Sequence, residues 1–73
     1  MMKLKNLEEL KKIFPDAEIK EFKGEVGMSF EPRTQTDYEL TQDGKIIGTY
    51  QHISVYQKDG KTLVCEFGEF AEN

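Results

Sequence analysis

In the first fifth of the chain, apolar residues recur at helical spacing. Leu7, Leu10 and Phe14 fall on one stripe, with Leu4 and Ile13 flanking it, the signature of an amphipathic helix. Asn6 supplies a cap for its start, and Glu9 is placed to reach back in the manner of a capping box. Glu8 and Glu9 lie near the positive end of the helix dipole, Lys11 and Lys12 near the negative end. Pro15 ends the helix, because the residue before a proline avoids the helical region. So short a helix does not hold alone and must dock on something larger.

Beyond Pro15 the helical period disappears. Ile19 and Phe22 fall on opposite faces of any strand over 17–23, which predicts a bulge or a short strand. Gly24 turns the chain, and 25–30 then alternates cleanly, with Val26, Met28 and Phe30 on one side. Residues 31–36, stiffened by Pro32, read as a loop.

From Tyr38 to Phe67 two Asp-Gly-Lys turns predict a three-stranded meander. A two-residue loop at Asp43-Gly44 pairs Leu40 with Ile47 and Tyr38 with Thr49. At the second turn a three-residue loop, with Gly60 left-handed, pairs Val55 with Leu63, Ile53 with Cys65 and Gln51 with Phe67. That register gathers the apolar residues on one face, and a one-residue slip would scatter them, so burial selects it. The middle strand is too long to stay straight in so small a protein, and Gly48 is the expected place for a bend or bulge. Together these elements predict an α+β fold. One short N-terminal helix packs on a four- to five-stranded antiparallel β-sheet with a C-terminal three-stranded meander, as a single compact domain over 1–73.

Composition narrows the function. The chain has 73 residues, 33% of them charged, a net charge of −4, and Arg33 as its lone arginine. An acidic chain without clustered lysine and arginine repels phosphates, which argues against direct nucleic-acid binding. One cysteine allows no intramolecular disulfide, makes no metal-ligand set, and fits a reducing cytoplasm. Neither a signal peptide nor a membrane-spanning run is legible. The expectation is a cytoplasmic protein without cofactor, metal or membrane partner.

Candidate chemistry centres on His52 and Cys65, the only residues of their types. In the chosen register Cys65 points into the core opposite Ile53, and His52 points the other way opposite Glu66. They then form no thiolate–imidazole pair, and no catalytic residue is assigned. "GMSFE" lacks the final glycine of a nucleophile elbow, "GEVG" is only the bare loop of a KH domain, and no phosphate loop occurs.

What remains is a surface. The second meander face carries Tyr50, His52, Tyr56, Val64 and Glu66, to which Glu69 and Phe70 add an acidic, aromatic end. These seven residues are the expected binding site, since tyrosine offers rigid contact area at low entropic cost. They point to a small acidic non-enzymatic protein-binding module whose partner is another protein with a basic surface. One concrete form is an inhibitor that occludes a nucleic-acid-binding surface, as mobile elements use against defence proteins. The alternative is a homo-oligomeric structural or accessory protein, a homodimer in its simplest form, with the exposed sheet face as self-interface.

Overall fold

The computed structural model describes residues 2–27 and 32–73, with the side chains of Lys23, Glu25, Val26 and Gly27 outside the description. The expected alternation of Met28 and Phe30 therefore lies outside the described residues. Among these residues the chain forms strand β1 (Met2–Lys3), helix α1 (Leu7–Ile13) and four long strands. The strands are β2 (Glu18–Gly27), β3 (Arg33–Gln42), β4 (Lys45–Tyr56) and β5 (Leu63–Glu72). All five strands join one antiparallel sheet in the order β1-β5-β4-β3-β2. The α+β fold with its C-terminal meander is as the sequence predicts.

The helix begins as its cap dictates. Asn6 Oδ1 accepts from the Glu9 amide at 3.2 Å. The Glu9 carboxylate reaches back to the Lys5 amide, also at 3.2 Å, one residue earlier than a standard capping box. The stripe docks through Leu10, which is fully buried, with Leu7 and Phe14 packed beside it and Ile13 left outside. Phe14 lies against Phe70 with ring centroids 4.9 Å apart.

Two expectations about β2 and β3 are corrected. Gly24 does not turn the chain; it lies inside β2 opposite Thr36. The predicted irregularity is instead a bulge at Phe22, between the pairs Glu21↔Tyr38 and Lys23↔Asp37. Arg33 to Thr36, read as loop, open β3 and pair with both neighbours. Alternating Thr34, Gln35 and Thr36 lack an apolar period, yet threonine suits a strand once its backbone is paired on both sides.

The Asp43-Gly44 turn is a two-residue loop, with φ of 54° and 77° at its two central residues, the positive values such hairpins require. A bulge at Ile47 then moves the register, so that Leu40 faces Gly48 and Tyr38 faces Tyr50. The expected Leu40–Ile47 and Tyr38–Thr49 pairs are thereby replaced. This is the bend anticipated at Gly48, displaced by one residue.

The second turn is longer than the expected three-residue loop, since Tyr56 pairs with Leu63. Gly60 is left-handed as expected, at φ 70°, but the Asp59 carboxylate captures the Lys61 and Thr62 amides at 2.8 and 2.9 Å and the Thr62 hydroxyl at 2.7 Å. Those three donors hold the Asp59 carboxyl below its ordinary range, the Thr62 amide contributing most. The loop closes where Gln57 donates to the Thr62 carbonyl. Val64 is left as a bulge, Val55 pairs with Cys65, and Ile53 pairs with Phe67. Each partner is two residues beyond its expected place, and an even shift leaves the faces unchanged.

Candidate functional site

The helix decides which sheet face is core, and it covers the tyrosines. Across the sheet, Tyr38, Tyr50, Phe70 and Met2 form one row of directly opposed residues. Tyr50 and Phe70 are 0% and 1% exposed and cluster with Leu4, Leu10 and Leu40. Two glycines make room for the rings. A Cβ at Gly48 would lie 2.5 Å from the Phe70 ring, and one at Gly68 would lie inside contact distance of the Tyr50 hydroxyl. The Tyr50 ring thus crosses β5 over Gly68 and donates its hydroxyl to the Leu4 carbonyl at 2.8 Å.

Burial, then the carboxylates of Glu66 and Glu9, push the Tyr50 phenol up to about 12. Tyr38, stacked 6.1 Å from Tyr50, is also raised, first by burial and then by Glu21.

Of the seven expected binding residues, Tyr50 and Phe70 are therefore core, a correction that follows from the helix docking on their face. His52 and Glu66 share that face near the helix start, joined Nε2 to Oε1 at 2.9 Å and half-buried. Their contact is diagonal: His52 lies opposite Gly68, and Glu66 opposite Ser54. The ring of His52 continues the Tyr50 stack at 6.2 Å. An open groove of about 330 Å³ runs here between Asn6, Leu7, Glu8, Tyr38, His52 and Glu66. Tyr56 is half-buried beyond the helix, Val64 is 58% exposed at the bulge, and Glu69 is exposed on the opposite face beside Gln51 and Lys3.

The face away from the helix is the one expected to be core. It carries Ile53, Val55, Cys65 and Phe67 as adjacent cross-strand pairs. Val55 is buried between its neighbours, Ile53 is half-buried, Cys65 is exposed, and Phe67 is 48% exposed. Cys65 thus occupies the predicted face, away from His52, but solvent rather than core lies above it. A cleft of about 190 Å³ passes between Gln51, Ile53, Phe67 and Glu69 on this side. Among the described residues this face carries Lys3, Lys20 and Arg33 beside the carboxylates of Glu18, Asp37, Glu39 and Glu69, with Lys3 opposite Glu69 and Lys20 opposite Glu39. Asp37 is nearly enclosed, and its carboxylate accepts from the Gln35 amide group at 3.3 Å.

Among the described residues, no group of three or more His, Cys, Asp or Glu side chains is placed to hold a metal ion, and no helix is long and apolar enough to cross a membrane. No protein-family model, curated protein or solved structure matches this chain.

Leu63, Cys65 and Phe67, expected on the core face, are exposed, and Ile53 is half-buried. A signal for the covered face was present. Gly48 and Gly68 lie beside Tyr50 and Phe70 in the pairing, and aromatic rings laid over cross-strand glycines are a recurrent way of packing a sheet face.

Proposed function

We propose that this chain is a small non-enzymatic protein-binding module that makes contact through the sheet face its helix leaves open. The observation carrying this reading is the open sheet face on which Cys65 and Phe67 are exposed and Ile53 is half-buried, beside a buried Val55. Apolar area next to a polar rim is the usual anatomy of a protein interface. His52 and Cys65 stand on opposite faces, which leaves no thiolate–imidazole pair to support an enzymatic reading. The net charge of −4 favours a partner with a basic surface, approached by electrostatic steering and held by apolar contact. Its concrete form is an inhibitor that occludes a nucleic-acid-binding surface.

Pull-down from source-cell lysate, wild type beside Phe67→Lys, tests this reading. Phe67 is half-exposed and lies outside the buried core cluster, so circular dichroism of the variant should be unchanged. The expected result is a stoichiometric protein partner retained by wild type, held at least tenfold more weakly by the variant, and weakened as salt is raised. A partner held equally by the folded variant would remove the open face from the reading. One whose binding ignores salt would remove the basic surface.

A further inference from the structure

We infer that the cleft crossing the open face between Phe67 and Glu69 seats an arginine side chain of the protein partner. That the cation belongs to a protein rests on the reading of this face as a binding surface; its fit rests on the cleft alone. Four side chains surround the cleft as two cross-strand pairs, Phe67 opposite Ile53 and Glu69 opposite Gln51, with Gly68 between Phe67 and Glu69. One wall is therefore an aromatic ring and an aliphatic chain, the other a carboxylate and a carboxamide. Phe67, Glu69 and Gln51 are exposed and Ile53 is half-buried, so both walls are open to an incoming group.

The spacing selects a flat one. Residues two apart on a strand stand about 6.7 Å apart. A group stacked on the Phe67 ring takes about 3.5 Å of that, and a charge-assisted hydrogen bond to the polar wall takes about 2.8 Å more. A guanidinium uses both walls at once. Its face stacks on the ring, its forked N–H donors reach the Glu69 carboxylate and the Gln51 carbonyl, and its methylene stem lies on Ile53. A lysine ammonium is compact and strongly hydrated, and it offers no flat face to the ring.

Charge selects a cation. Along the row that forms the polar wall the order is Lys3, Glu69, Gln51, Asp37, Lys23. Both carboxylates neighbour Gln51, and both lysines stand at the outer ends. Glu69 has no hydrogen-bond or ion-pair partner among the described residues. Asp37 is 8% exposed, and its described hydrogen bond is the 3.3 Å contact from Gln35, which leaves acceptor capacity on a nearly enclosed carboxylate. The apolar wall runs through Phe67, Ile53 and Gln35 and carries no charge. Arg33 lies one row further off, with Val55 and Cys65. The centre of the face is thus the complement of a cationic side chain.

Nuclear magnetic resonance titration of the labelled chain with Nα-acetyl-argininamide, at constant ionic strength, tests the inference. The expected result is a saturable shift of the Gln51 side-chain amide, the Ile53 methyl groups and the Phe67 ring, half-complete at millimolar probe. The citrulline analogue keeps the shape without the charge and should give no saturable shift, and Nα-acetyl-lysinamide should bind at least fivefold more weakly. Glu69→Gln and Phe67→Leu, both at exposed positions, should each weaken the arginine probe at least fivefold. Glu72→Gln removes the same charge from an exposed position on the helix face and should bind as wild type. No saturable shift at these groups in wild type overturns the inference. So does equal binding of the lysine probe, or a loss in Glu72→Gln as large as in Glu69→Gln. A lysate partner lost by Phe67→Lys but held in full by Glu69→Gln would keep the open face as the binding surface and remove the arginine. Saturable probe binding beside a partner indifferent to Phe67→Lys would do the reverse.

Discussion

Tyr50→Ala should remove a large share of the folding stability at room temperature. The ring is fully buried at the centre of the core, and deleting a buried aromatic costs about 3–5 kcal/mol. The lost hydroxyl leaves the Leu4 carbonyl without its 2.8 Å donor, adding about 1 kcal/mol. For a 73-residue chain the entire folding free energy is roughly 4–11 kcal/mol, so the loss is at least about a third of it. Urea titration followed by circular dichroism measures it. A variant whose unfolding free energy stays within about 1 kcal/mol of wild type would contradict burial of this ring.

The same side chain sets an alkaline limit. Its phenol is raised from 10.0 to about 12 in the fold, so the folded state holds that proton more tightly than the unfolded chain. The resulting stability is fully present below about pH 10 and is lost as pH rises toward 12. Tyr50→Phe should lose the hydroxyl bond and flatten this part of the pH dependence.

Gly68→Ala is the second substitution with a large effect, and it adds a single methyl group. The new Cβ would lie 2.6 Å from Cζ of Tyr50 and 2.7 Å from the backbone oxygen of Gln51. The backbone atom cannot give way, so the ring must move. Moving it breaks the bond to Leu4, which ties β1 and the helix entry to the sheet. Overpacking of this kind costs about 1–3 kcal/mol, and loss of the hydroxyl bond brings the expected total to about 2–4 kcal/mol. Gly24→Ala is the control. Nothing lies within 4 Å of a Cβ there, and its stability should stay within about 0.5 kcal/mol of wild type. Equal effects at the two glycines would show that Tyr50 does not cross β5 at Gly68.

Local signals made much of the fold legible. Asn6 and the Leu7–Leu10–Phe14 stripe located the helix, the positive-φ pair Asp43-Gly44 fixed a hairpin, and the mismatch of Ile19 with Phe22 marked a bulge. What sequence periodicity lacks is the choice between two sheet faces, because alternation is symmetric about the sheet plane. The C-terminal meander has an apolar face and an aromatic face, and counting aliphatic residues favoured the wrong one. In the structure the Phe70 and Tyr50 rings lie over Gly48 and Gly68, beneath the helix. The register of β5 was hidden for a different reason. Its loop length depends on three donors converging on the Asp59 carboxylate, and the spacing of Asp and Gly does not reveal that geometry.

His52 and Glu66, expected directly opposite each other, keep one face because the register shift is even, but their contact is diagonal, with His52 opposite Gly68. Tyr50 and Phe70 were misread as surface by the same error of face that sent Phe67 to the core.

The central claim is that the helix packs on Tyr50 and Phe70 and leaves Ile53 and Phe67 uncovered. Nuclear Overhauser contacts from the Leu10 methyl groups test it most directly, in dilute labelled protein. The structure predicts contacts to the Tyr50 and Phe70 rings and none to Phe67 or Ile53. Contacts from Leu10 to Phe67 or Ile53 would put the helix on the other face, bury the proposed binding row, and contradict the account.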